Sequence, residues 1–165
     1  MPPPSRRLND KSLNQILTAS KSSLVTAGEI SNNNGGNNIN RKILELLSKS
    51  EVILVCPEVM GGLPTPRIPA EIVDDTVINK DGISVDMEYR RGAEQTLRIA
   101  EREKPDIIIL QSRSPSCGVN QRYDGTFTGK LIDEPGVTAE LLIKNGFRVI
   151  DIEDLNEESL KIWEI

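Results

Sequence analysis

The chain has 165 residues, enough for one domain with a real core and too few for two ordinary ones. A net charge of −5 argues against non-specific nucleic acid binding, and no apolar run nears the ~20 residues of a membrane span. Aromatics at 3% leave the core to aliphatic side chains, and an N-terminus without an apolar stretch points to a cytoplasmic home, where disulfides are rare.

Residues 1–22 are polar, with prolines at positions 2 to 4, and read as a tail. Leu8, Leu13, Ile16 and Leu17 also fit one face of a short helix. Residues 23–165 read as a single domain. Leu24-Val25-Thr26-Ala27 is the first strand. The Asn- and Gly-rich run Ser31 to Asn38 is a loop. Ile39, Ile43, Leu46 and Leu47 recur at helical spacing, so Ile39 to Lys49 is expected as a helix. Val52 to Val55 is the second strand, an apolar run of the kind found in covered parallel sheets. Cys56 to Glu71 holds four prolines and two glycines and is expected to be neither helix nor sheet.

Ile72-Val73 and Thr76-Val77-Ile78 flank Asp74-Asp75 as a hairpin. A long amphipathic helix is expected from Ser84 or Asp86 to Lys104, with Met87, Ala93, Leu97 and Ala100 on its inner face. Pro105 stops it. Asp106 to Leu110 is a third strand. Val137 to Lys144 is a helix closed by Asn145-Gly146. Phe147 to Ile150 is a last strand, and Asp154 to Trp163 a short helix. This alternation predicts an α/β fold, a Rossmann-like three-layer sandwich with a mostly parallel sheet.

In such sheets ligands bind beyond the carboxyl ends of the strands. The only two cysteines, Cys56 and Cys117, each follow an apolar strand at that end. Thiolates suit zinc or iron–sulfur clusters, but two make an incomplete site, and the sequence has no histidine to add. Glu58 can act as a general acid or base. Ser114 and Ser116 can donate hydrogen bonds, and Arg67 and Arg113 can hold an anion or a polarised carbonyl. Each residue taken singly also reads as structural, and a surface connection with solvated charges is the plain alternative.

Cys56-Pro57-Glu58-x-x-Gly61-Gly62-Leu63-Pro64-x-Pro66-Arg67-x-Pro69-Ala70-Glu71 resembles the signature of the thiouracil desulfidase-like family, also catalogued as domain of unknown function 523. Ser114-Pro115-Ser116-Cys117-Gly118, Tyr123-Asp124-Gly125-Thr126-Phe127-x-Gly129 and Gly136-Val137-Thr138-Ala139-x-Leu141-Leu142 match later blocks. The resemblance spans about residues 50–151.

It implies removal of sulfur from thiolated pyrimidines such as 2-thiouracil, on a 4Fe–4S cluster held by three cysteines with one iron open. Carried over, Cys56 and Cys117 are cluster ligands, Glu58 the acid–base group and Ser114 its assisting serine. Arg67, Ser116, Tyr123 and Asp124 become candidate substrate contacts. The partner implied is a small thiolated nucleobase-like molecule, with neither membrane nor non-specific nucleic acid involved.

The family's first cysteine lies just after the first strand, and here Gly28 stands in its place. Gln111 likewise replaces a lysine usual before the serine block. Three readings follow: an iron–sulfur desulfidase, a degenerate homologue that binds a ligand without turnover, and a zinc or redox module.

Overall fold

The computed structural model describes the backbone of residues 16–18 and 24–26, residues 53–156, and residues 158 and 159. The expected asparagine-rich loop, the helix over 39–49, Gly28, and most of the helix over 154–163 lie outside the described residues.

The architecture is mixed α/β. The central sheet contains β1 (Ile16–Thr18), β2 (Leu24–Thr26), β3 (Ile53–Val55), β6 (Ile107–Leu110) and β9 (Val149–Asp151). β2 and β9 run parallel to β6, whereas β1 runs antiparallel to β3 and β6. The expected mostly parallel sheet is therefore mixed. The connection from Thr18 to Leu24 is the physical reason. β1 and β2 flank β6 on either side, and strands that run the same way in a sheet need a crossover of about a dozen residues or more between them; this link is far shorter, so β1 and β2 run opposite ways. Ile16 and Leu17, expected on a helical face, lie in β1, so sheet pairing overrides their local periodicity.

β6 is the core strand. Ile107, Ile108, Ile109 and Leu110 are all buried, as an unbroken apolar run predicts. Val55, Ala100, Leu142 and Cys117 pack with Ile108 and Leu110 in one cluster.

The stretch after Cys56 holds more regular structure than its prolines suggest. Pro57–Met60 forms α1, a single turn with proline at the first position, where its fixed φ and missing N–H do no harm. β4 (Ala70–Val73) and β5 (Thr76–Asn79) form the expected hairpin. Asp74 and Asp75 have φ of 46° and 64°, both left-handed, as a two-residue turn of this kind requires.

α2 spans Asp86–Glu103. Its buried face is Tyr89, Gly92, Ala93, Thr96 and Ala100. Met87, expected inside, is 71% exposed. The face is small because α1 crosses it at backbone distance. A Cβ on Gly61 would lie 1.9 Å from the Glu88 carbonyl oxygen, and one on Gly92 would lie 1.8 Å from that of Pro57. Only a glycine on each side permits this approach.

β7 (Arg122–Tyr123) and β8 (Leu131–Ile132) make a small antiparallel ribbon. α3 spans Val137–Lys144. Its first amides are satisfied by the cysteine loop: Val137 N–H donates to Pro115 O at 2.8 Å, and those of Thr138 and Ala139 donate to Ser116 O at 2.8 and 3.1 Å. The loop that carries Cys117 is thus fastened to a helix end. Among the described residues, no helix is long and apolar enough to cross a membrane.

Candidate functional site

α1 and the Ser114–Gly118 loop face one another across the end of the sheet. Cys56 is the cap residue of α1, half-buried, and Glu58 lies in its first turn. The Glu58 carboxylate pairs with the Arg67 guanidinium through Nε, and both side chains are largely shielded. Arg67 is held by its own loop: Nη1 donates to Pro64 O at 2.9 Å and to Thr65 Oγ1 at 3.1 Å. Its Nη2 lies 3.7 Å from Cys56 Sγ. The proline-rich segment therefore sets a cation against both the carboxylate and the thiol.

Ser114 approaches from the other side. Its Oγ accepts from the amides of Ser116 and Cys117, each at 3.1 Å, and donates toward Glu58 Oε1 at 3.5 Å. With both lone pairs engaged by amides, its proton is directed at the carboxylate. Cys56, Glu58, Arg67, Ser114 and Cys117 are thereby brought together from two stretches far apart in sequence.

Both thiols are free of disulfide bonding. Burial pushes the Cys117 thiol well above the usual thiol range, and the nearby Glu58 carboxylate adds to the rise. Burial also raises Cys56, opposed by the Val59 amide and Arg67. Both sulfurs therefore hold their protons at neutral pH and act as thiols rather than nucleophilic thiolates.

Other candidates lie away from the Glu58–Arg67 pair. Ser116 is fully buried; its hydroxyl pairs with Thr138 Oγ1 at 2.7 Å and accepts from Cys117 Sγ at 3.8 Å, so it backs that thiol from the core side. Tyr123 and Asp124 belong to the β7–β8 ribbon. Asp124 accepts from Thr126 N and Oγ1 at 2.9 and 2.6 Å, and these bonds hold its carboxyl below the usual carboxylate range. Arg113 has φ of 61° and pairs with Glu153 at an exposed position. None of these four hydrogen-bonds to Glu58, Arg67 or Cys56 among the described residues.

Glu71, which closes the first motif, and Tyr89, which no motif includes, turn out to hold structural positions near these elements. Glu71 is 8% exposed, and its Oε2 accepts from the amides of Gly125 at 2.9 Å and Phe127 at 3.0 Å. It fastens the Asp124–Phe127 turn to the hairpin. Tyr89 is 3% exposed, and its phenol lies in the field of Glu58, Arg67, Cys117 and Cys56. The available signal was a lone aromatic on a helix face otherwise made of Gly92, Ala93, Thr96 and Ala100. A cluster of this kind can hold a small polar heterocycle and move a proton at Glu58.

The 2-thiouracil desulfurase family matches this chain over residues 27–154. An uncharacterized protein, YbbK of Bacillus subtilis (strain 168), is 39% identical over 134 residues, covering 75% of this chain and 89% of the relative. The solved structure of TudS, a [4Fe-4S]-dependent thiouracil desulfidase, superposes with a TM-score of 0.71 at 33% identity, covering 82% of this chain and 87% of that one. The chain belongs to the 2-thiouracil desulfurase family.

Proposed function

We propose that this chain binds a thiolated pyrimidine in the crevice between α1 and the Ser114–Gly118 loop and exchanges its sulfur for oxygen. The Glu58 carboxylate, set between the Arg67 cation and the Ser114 hydroxyl beside both thiols, carries this reading. Replacing a thiocarbonyl sulfur with the oxygen of water needs a group that gives and takes a proton at the reacting carbon. Glu58 is that group. Ser114, directed by two amides, orients it, and Arg67 holds its charge in a shielded place. A Rossmann-like arrangement, with ligand beyond the carboxyl ends of the strands, belongs to the same reading. Two unpaired thiols suit a reducing, cytosolic compartment.

The family's cluster is a separate matter. Cys56 and Cys117 are the two thiols at the site. Among the described residues, no group of three or more Cys, Asp, Glu or His side chains could hold a metal ion. The sequence adds no third cysteine and no histidine. The nearest acid, Glu58, is paired with Arg67. This donor set does not fit a three-cysteine [4Fe-4S] site. That mismatch favours a second reading, in which the crevice binds the heterocycle without turnover.

One experiment separates the two. The full chain is titrated with 2-thiouracil as purified, then reconstituted anaerobically with iron and sulfide and assayed for uracil and released sulfide. Turnover that is lost in Glu58→Gln supports the first reading. Binding with no turnover after reconstitution supports the second. Absence of binding in both preparations rejects both.

A further inference from the structure

The α1–α2 crossing decides where Tyr89 stands. Glu88, its neighbour, lies with its carbonyl against Gly61, and Gly92, one turn on, lies against Pro57. Tyr89 is therefore carried to the turn that bears Glu58. Its ring packs with Ala70, Ile72, Val77, Ala93 and Val137, so the apolar body is fully used. Burial first, and the Glu58 charge second, hold the phenol proton on well above the usual tyrosine range. Among the described residues the hydroxyl makes no hydrogen bond. It is also not sealed in: the one buried side-chain polar atom without a partner, among those residues, is Arg122 Nε. A tyrosine buried in this way ordinarily finds a partner for its hydroxyl.

We propose that Tyr89 is a further ligand-contacting residue of this site, its hydroxyl donating a hydrogen bond to the keto or thioketo group of the bound pyrimidine. The inference rests on the crevice-binding reading above and requires no turnover. Tyr89 then supplies a neutral donor from α2, while α1 supplies the carboxylate and the cysteine loop supplies the serine. The heterocycle is thus grasped from three elements. A neutral donor suits an uncharged keto group, where a second cation would compete with Arg67 for Glu58.

Tyr89→Phe tests this, because it removes the hydroxyl and keeps the ring. The full chain as purified is titrated with 2-thiouracil, and thermal unfolding is followed in parallel. Binding should weaken about 3- to 10-fold, the worth of one neutral hydrogen bond, while the unfolding midpoint stays level or rises. Equal affinity in the two proteins overturns the inference. So does a midpoint lowered by several degrees, which would mean the hydroxyl is bonded within the protein. If the wild-type chain gives no binding isotherm, the crevice reading fails and takes this inference with it. That outcome differs visibly from a failure of Tyr89 alone, which needs a wild-type isotherm to compare.

Discussion

Gly92→Ala probes the contact that sets Glu58 opposite the cysteine loop. A Cβ at Gly92 would stand 1.8 Å from the Pro57 carbonyl oxygen and 2.6 Å from its carbon. Real Cβ atoms essentially never come within 3.0 Å, so α1 must retreat by about 1.2 Å. Neither partner is a flexible side-chain tip. In an open helix the same change would be favourable by ~1 kcal/mol. Overpacking costs ~1–3 kcal/mol, and backbone against backbone belongs at the top of that range. The expected net loss is about 2 kcal/mol, or a midpoint about 4–8 °C lower for a chain of this size. The displacement also separates Glu58 from Ser114, now 3.5 Å apart, and opens Cys56 to solvent. Urea unfolding gives the first quantity and the rate of Cys56 alkylation at fixed pH the second. A variant as stable as the wild type, with Cys56 no more reactive, would refute the reasoning.

Three further outcomes are expected. Glu71→Ala should cost ~2–4 kcal/mol in urea unfolding, because the Gly125 and Phe127 amides lose their shared acceptor. Glu71→Gln keeps an acceptor oxygen and should cost less. Arg67→Met should destabilise by ~3–5 kcal/mol, since it strands the shielded Glu58 carboxylate, and adding Glu58→Leu should recover part of that loss. Finally, stability should fall with rising pH on the alkaline side. The Cys117 thiol is raised in the folded state, so the unfolded chain gives up its proton first. Stability is full below about pH 8.5 and declines above it by ~1.4 kcal/mol per pH unit for this thiol. Thermal unfolding of Cys117→Ala between about pH 8.5 and 10 should show a shallower slope. An identical slope would refute the assignment to Cys117.

Much of the fold was legible in residue patterns. Ile107 to Leu110, an apolar run behind Pro105, reads as a buried strand and is one. Asp74-Asp75 between two apolar runs reads as a tight hairpin, because aspartate tolerates left-handed backbone. Helical spacing located α2 and α3 within two residues of their observed ends. It placed Ala93, Leu97 and Ala100 on the packed face of α2, but it put Met87 there too and passed over Tyr89. Periodicity locates an apolar stripe but does not know that a second helix will cross on glycine. Met87 is exposed, and Tyr89, beside that crossing, is buried.

The chemistry followed the same division. By itself, the sequence determined the inventory: two thiols, no histidine, a glutamate two residues beyond Cys56, and an arginine within a proline-rich stretch. Long motifs were enough for the family, since motif identity is a property of the chain. Tertiary structure alone decided which side chains share a space. Ser114 and Ser116 are two residues apart, yet one faces Glu58 and the other turns into the core against Thr138. The turn that separates them is held by the first amides of α3, more than 20 residues later. Tyr89 is buried beside α1, on the helix that meets Pro57 backbone to backbone at Gly92. Those contacts join segments distant in sequence, and local patterns carry no record of them.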